Sequence, residues 1–171
     1  MIDFRFTNEH QASGISDILD VLQKPRLWVP RQDYPDYSQW LEKVEVELQA
    51  EEKRAMLACS GRDPVGVVVY QRHKYDPQSV ELKNISVAPD VRGRYVGSFL
   101  LRNTEVEAQG FDYPDCTRVT VDTKVKNSGM IGFLIHHGYT PIGVEDMYGL
   151  GAGKDIVFTK NSLPNYEQKD R

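Results

Sequence analysis

Apolar side chains recur along this chain with two periods. Ile2-Asp3-Phe4-Arg5-Phe6 alternates apolar and polar positions, the pattern of a half-buried strand. From Glu9 the apolar positions Ile15, Ile18, Leu19 and Leu22 fall at helical spacing, with Thr7 or Asn8 able to cap the start and Lys24-Pro25 ending the run. A loop from Arg26 to Tyr37, crowded with prolines and aromatics, leads to a second helix from Ser38. Its apolar face is Trp40, Leu41, Val44 and Leu48, and Glu42, Glu45, Glu47, Glu51 and Glu52 make a solvated acidic face. Ala55 to Cys59 and Val65 to Tyr70 flank Gly61-Arg62-Asp63-Pro64 and read as a hairpin.

After a polar loop from His73 to Ser79, Val80 to Val87 reads as a fourth strand, stopped by Pro89, which cannot continue a ladder. A helix follows from Val96 to near Gly110, and the β-branched run Arg118 to Asp122 reads as a fifth strand. Asn127 can cap a helix carrying Met130, Ile131, Phe133, Leu134 and Ile135, with Gly138 as its stop. Thr140 to Val144 and Asp155 to Thr159 read as a last hairpin. That order predicts an α+β domain with a mostly antiparallel central sheet flanked by helices. We place this single domain at residues 1–162 and read 163–171 as a disordered tail.

Composition narrows the class. A chain of 171 residues has the length of one domain and can bury a substantial core. Hydrophobic residues at 40% and charged residues at 27% suit a soluble globule. No apolar run is long enough to span a bilayer, and Met1 to Arg5 lacks the opening of a secretory leader, so a cytoplasmic protein with no membrane partner is expected. A formal charge of −4 disfavours nucleic acid, whose binders carry a basic stripe. Cys59 and Cys116 show no disulfide or zinc spacing, and no metal is expected.

The candidate chemistry concentrates between Leu82 and Leu101, which reads as a strand, a tight basic turn and a helix. Gly93 and Gly97 let the turn tighten and the backbone approach a ligand. The first N–H groups of the helix lack intrahelical partners and sit at the positive end of its dipole, so phosphate is the natural guest. Arg92 and Arg94 add positive charge, and this small cluster suits one phosphorylated ligand better than a polymer. A second glycine-rich stretch, Tyr148 to Asp155, lacks the first glycine and the hydroxyl residue of a nucleotide-binding P-loop. His136 and His137 are helix neighbours about 100° apart and read as helix-end residues rather than metal ligands.

Val87-x-Pro89 followed by Arg92-Gly93-Arg94-Tyr95-Val96-Gly97 resembles the acetyl-CoA loop of the GCN5-related N-acetyltransferase (GNAT) superfamily, with Tyr95 where the family's middle glycine belongs. Asp122-x-x-x-x-Asn127 and Phe133-x-x-x-x-Gly138-Tyr139 resemble a second family segment. The resemblance implies a sheet whose parallel fourth and fifth strands splay apart to admit a pantetheine arm, with acetyl-CoA as cosubstrate. Ile85, Ser86 and Val87 would pair with the pantetheine amides. Arg92, Gly93, Arg94, Tyr95, Val96, Gly97 and Ser98 would take the pyrophosphate, and Asn127 would contact the arm. Two carboxylates match family positions for the base, Glu81 and Asp122, with Glu81 preferred. Leu134 stands where many members carry a tyrosine acid, and Tyr148 is expected to supply that proton.

Trp28, Tyr34 and Tyr37 fall in the family's acceptor-covering loop and are expected to bind the acceptor. The predicted activity is direct acetyl transfer to a primary amine of a small molecule or peptide, in a ternary complex, with a homodimer left open. The alternative is an inactive acyl-CoA-binding sensor or interaction module, motivated by Tyr95 and Leu134.

Overall fold

The computed structural model describes residues 4–8, 15–23, 34–147, 149 and 153–161. In chain order they form β1 (Phe4–Asn8), α1 (Ile15–Gln23), α2 (Tyr37–Gln49), β2 (Lys53–Ser60), β3 (Asp63–Arg72) and β4 (Ser79–Val87). A single 3₁₀ turn (Pro89–Val91) leads to α3 (Val96–Glu107), and then come β5 (Arg118–Lys124), α4 (Ser128–His136), β6 (Thr140–Glu145) and β7 (Asp155–Asn161). The element order expected from the hydrophobic pattern is the one observed. The β2–β3 turn is tighter than the sequence suggested, because Ser60 already pairs with Asp63 and Gly61 supplies the positive φ of 63°. No helix among the described residues is long and apolar enough to cross a membrane.

The described strands form one sheet in the order β1-β2-β3-β4-β5-β7-β6, with β4 and β5 its parallel pair. Helices cover both faces, which is why β2 and β3 read as nearly continuous apolar runs. Ala55, Leu57, Val67 and Val69 pack beneath α1 and α2. Met56, Ala58, Val68, Tyr70, Val80 and Leu82 point the other way, toward Leu100 and Leu101 of α3 and Leu134 of α4.

Two irregularities shape the middle of the sheet. Parallel pairing of β4 with β5 runs from Ser79↔Arg118 to Leu82↔Val121 and stops there, although both strands continue. Beyond that point the edge of β4 has lost its neighbour and the strands diverge. At the same place the β3–β4 register slips: Tyr70 faces Leu82 and Val69 faces Asn84, so Lys83 is the extra residue of a bulge.

Candidate active site

A cleft of about 1270 Å³ opens where β4 and β5 part. Its floor is the free end of β4, with Ile85, Ser86 and Val87 along one side. The turn after β4 and the start of α3 close one end, α4 forms a wall, and the beginning of α2 covers the other end.

The turn is built from two left-handed residues. Gly93 has φ +74°, which glycine adopts freely, but Tyr95 has φ +62° and ψ 5°, which costs a residue with a Cβ roughly 1–2 kcal/mol. Tyr95 fills the position of the missing family glycine, so the backbone keeps a glycine-like turn without the glycine. It caps α3 without a side-chain hydrogen bond, and the first α3 N–H bonded within the helix is that of Phe99, to the Tyr95 carbonyl 2.9 Å away. The amides of Val96, Gly97 and Ser98 precede it. A Cβ on Gly97 would lie 3.5 Å from both Val87 and the Phe133 ring, in ordinary contact with each, so glycine leaves a methyl's worth of room between β4 and α4.

Arg92 donates from Nε to the Val87 carbonyl at 3.0 Å, fastening the turn to the end of β4. Ser98 and His137 bridge α3 and α4 through a 2.9 Å hydrogen bond between Oγ and Nε2. Burial, seconded by neighbouring His136, holds His137 below the usual imidazole range. Asn127 caps α4 by accepting from the Met130 amide at 3.2 Å, and its Nδ2 donates to Thr123 Oγ1 at 3.3 Å. Gly93, Tyr95, Val96, Gly97 and Ser98 line the cleft together with Arg92 and Asn127, whereas Arg94 does not.

At the opposite end Tyr34 and Tyr37 line the cleft beside Trp40. The Tyr37 hydroxyl donates to the Leu22 carbonyl at 2.8 Å, and its ring stacks on Trp40 at 5.3 Å, so the start of α2 is pinned to the end of α1. The Tyr34 ring sits 5.1 Å from the Lys124 ammonium, itself buried and bound to Asp155 Oδ2 at 2.8 Å. Trp28 and Tyr148 lie outside the described residues.

The two candidate bases occupy different environments. Asp122, one residue past the last β4–β5 pair, is half-buried and lines the cleft. Glu81 lies inside the paired segment, is 9% exposed and does not line the cleft. Its Oε1 is 2.8 Å from Lys83 Nζ, and Oε2 accepts from Gln71 Nε2 at 3.1 Å. Gln71 Oε1 in turn accepts from Lys53, which pairs with Glu47 at 2.7 Å. Burial draws Lys53 below the usual ammonium range against the pull of Glu47.

Leu134 is fully buried in the core, so the α4 position where the family's tyrosine stands carries no group facing the cleft. Phe133, His136 and His137 line it instead. The sequence reading gave Lys83, Trp40 and these α4 residues no role in the site. The spacing of Met130, Phe133 and His137 marked one helical stripe, but only packing against β4 and α3 turns that stripe toward the cleft.

The family model of the acetyltransferase (GNAT) family matches residues 15–139. The chain belongs to this family. No curated protein sequence matches this GNAT chain. Among solved structures it is similar to a GNAT-family protein from Desulfovibrio desulfuricans, at TM-score 0.74 and 15% identity over 93% of this chain and 99% of the other. Ard1 from Thermoplasma volcanium aligns at TM-score 0.71 and 17% identity, over 94% and 99% of the two chains. The ribosomal-protein-S18-alanine N-acetyltransferase of Escherichia coli aligns at TM-score 0.68 and 14% identity, over 96% and 98%. At these identities the structural likenesses establish the GNAT fold, and the family match establishes an acetyltransferase.

Proposed function

We propose that this chain moves an acetyl group from acetyl-CoA to a primary amine of a small molecule or peptide by direct transfer, with both substrates bound at once, in the cytoplasm. The observation that carries the reading is the end of β4–β5 pairing at Leu82↔Val121, which leaves the edge of Ile85 to Val87 open beside the turn that leads into α3. An amide-bearing arm can add to that edge as an extra strand would. The residues fit such a ligand: Gly97 leaves room between β4 and α4, the first α3 amides precede the helix's first internal hydrogen bond, and Arg92 brings positive charge.

Bound acetyl-CoA supplies an activated acyl carbon and a sulfur leaving group. The acceptor amine must reach the site neutral, because an ammonium has no lone pair. Of the two candidate bases Asp122 is the one that lines the cleft, and we assign it the role of base, directly or through one water. Glu81 is assigned to the side-chain network that holds Lys83. Tyr34 and Tyr37 provide aromatic faces for a cationic acceptor. A thiol with an ordinary pKa near 8.5 leaves readily, so the proton proposed to come from Tyr148 assists rather than enables departure.

Acetyl-CoA should raise the melting temperature saturably, and a thiol-release assay over polyamines, amino sugars, aminoglycosides, amino acids and N-terminal peptides should find an acceptor. No stabilisation by acetyl-CoA or another acyl-CoA would sink the reading. Saturable stabilisation with no acceptor in the panel would favour the alternative of a binding module, for which the buried Leu134 speaks.

A further inference from the structure

We infer that Lys83 is itself an acyl acceptor, modified by the acyl-CoA bound in this chain's own cleft. The inference rests on the acyl-CoA reading above. Lys83 is the extra residue of the β4 bulge, at the step where β5 leaves β4, and it is among the residues that line the cleft. Its Nζ lies 2.8 Å from Glu81 Oε1, and its side chain is only 22% exposed. The partner carboxylate is fixed as well, since Gln71 donates to its other oxygen and Lys53 binds Gln71. An amine is therefore held against a carboxylate at the mouth of the splay, which is the arrangement that an acceptor and its base require. Lys43, the other lysine lining the cleft, is 70% exposed and meets Glu47 at 3.6 Å, without that enclosure.

The step balances without a further reagent. Glu81 takes a proton from the Lys83 ammonium, and the freed lone pair on Nζ forms a bond to the thioester carbonyl carbon. The carbon–sulfur bond breaks, and its electron pair leaves as the CoA thiolate. The acylated nitrogen then sheds its second proton, the thiolate takes one up, and Glu81 returns the first to solvent. The products are Nε-acyl-lysine, free CoA and one net proton. The amide can no longer form an ion pair with Glu81, so modification removes a positive charge from the acceptor side of the cleft.

The test incubates the whole chain with isotopically labelled acetyl-CoA and no added amine, then follows label in peptides by mass spectrometry. Lys83 should gain label far faster than the exposed Lys74 and Lys154, which report spontaneous acylation. The rate per chain should not change with protein concentration, and should saturate over the acetyl-CoA range that raises the melting temperature. Glu81→Gln should slow labelling of Lys83 by on the order of 10²-fold and leave Lys74 unchanged. Lys83→Arg keeps the charge and should abolish label at that site alone. Saturable stabilisation with Lys83 labelled no faster than Lys74 overturns the inference and spares the cofactor reading. Absence of any stabilisation overturns both.

Discussion

Glu81 and Asp122 point to the same face of the sheet from adjacent strands, yet one lies inside the last stretch of parallel pairing and the other one residue beyond it. Glu81 is opposite Thr120, two residues before Asp122, so alternation gives both carboxylates the same side. What separates them is the point where hydrogen bonding stops. Asp122→Asn should therefore lower turnover by roughly 10²-fold or more while leaving the acetyl-CoA KM in place, because the amide keeps the shape and loses the basicity. Glu81→Gln should act first on Lys83, through the ion pair it removes. Steady-state kinetics of both variants decide the assignment, and an Asp122→Asn enzyme with full turnover would return the role of base to Glu81.

Stability should respond to His137 in the acid range. Its folded pKa lies below the ordinary imidazole value, first because of burial and then because of His136, while Glu105 pulls upward and Lys160 downward. In the window between the folded value and the unfolded one near 6.5, the unfolded chain binds more protons. The stabilising contribution is thus complete above about pH 6.5 and is lost as pH falls through the folded pKa. Denaturant melts across that range should show a shallower acid decline in His137→Gln than in the wild type. Identical slopes would remove His137 from the account.

Glu105 ties α3 to the β6–β7 end of the sheet. It is 3% exposed, and Lys160 reaches both of its oxygens at 2.9 Å while the Tyr139 hydroxyl donates at 2.8 Å. That hydroxyl is held far above its ordinary titration range by burial and by Glu105. Tyr139→Phe keeps the ring and withdraws one donor from a buried carboxylate, which should cost about 1–3 kcal/mol in chemical denaturation. The acetyl-CoA KM should stay unchanged, since neither residue lines the cleft.

Much of this architecture was legible in the chain, because strands buried on both faces and helices with one apolar stripe leave distinct patterns. The bulge at Lys83 was not, since it is a register choice between β3 and β4 that neither strand's own alternation encodes. The separation of Glu81 from Asp122 was hidden for the same reason. Ser98 and His137 are far apart in sequence and meet only because α3 and α4 pack beside the same groove. Tyr95 was recognised as a departure from the loop pattern, but its left-handed backbone could be found only in the fold.

Tyr95 offers a stability test of that turn. Its side chain is 72% exposed, so trimming it forfeits little burial, while its φ of +62° carries the strain of a residue with a Cβ. Tyr95→Gly relieves roughly 1–2 kcal/mol and gives back about 0.5–1 kcal/mol through the greater freedom of glycine in the unfolded chain. A net gain of up to about 1.5 kcal/mol should appear as a higher denaturant midpoint with an unchanged slope. A lower midpoint would mean that the ring has contacts outweighing its strain.

Arg92 combines two tasks that substitution can separate. Its Nε–H ties the turn to the Val87 carbonyl at 3.0 Å, and its exposed guanidinium brings charge to the place proposed for the pyrophosphate. A hydrogen bond to a charged group contributes roughly 1.5–3 kcal/mol, so Arg92→Ala should raise the acetyl-CoA KM by about 10- to 100-fold. Turnover at saturation should be spared, because a contact made equally in ground and transition states changes binding alone. Arg92→Lys keeps the charge but cannot both fasten the turn and meet the phosphate, and should fall between the two. Salt gives an independent check: an exposed charge is screened over about 8 Å at physiological ionic strength, so the wild-type KM should rise with added salt and the alanine variant's should rise less. An Arg92→Ala enzyme with unchanged KM and lost turnover would place this side chain at the reacting group rather than at the phosphates.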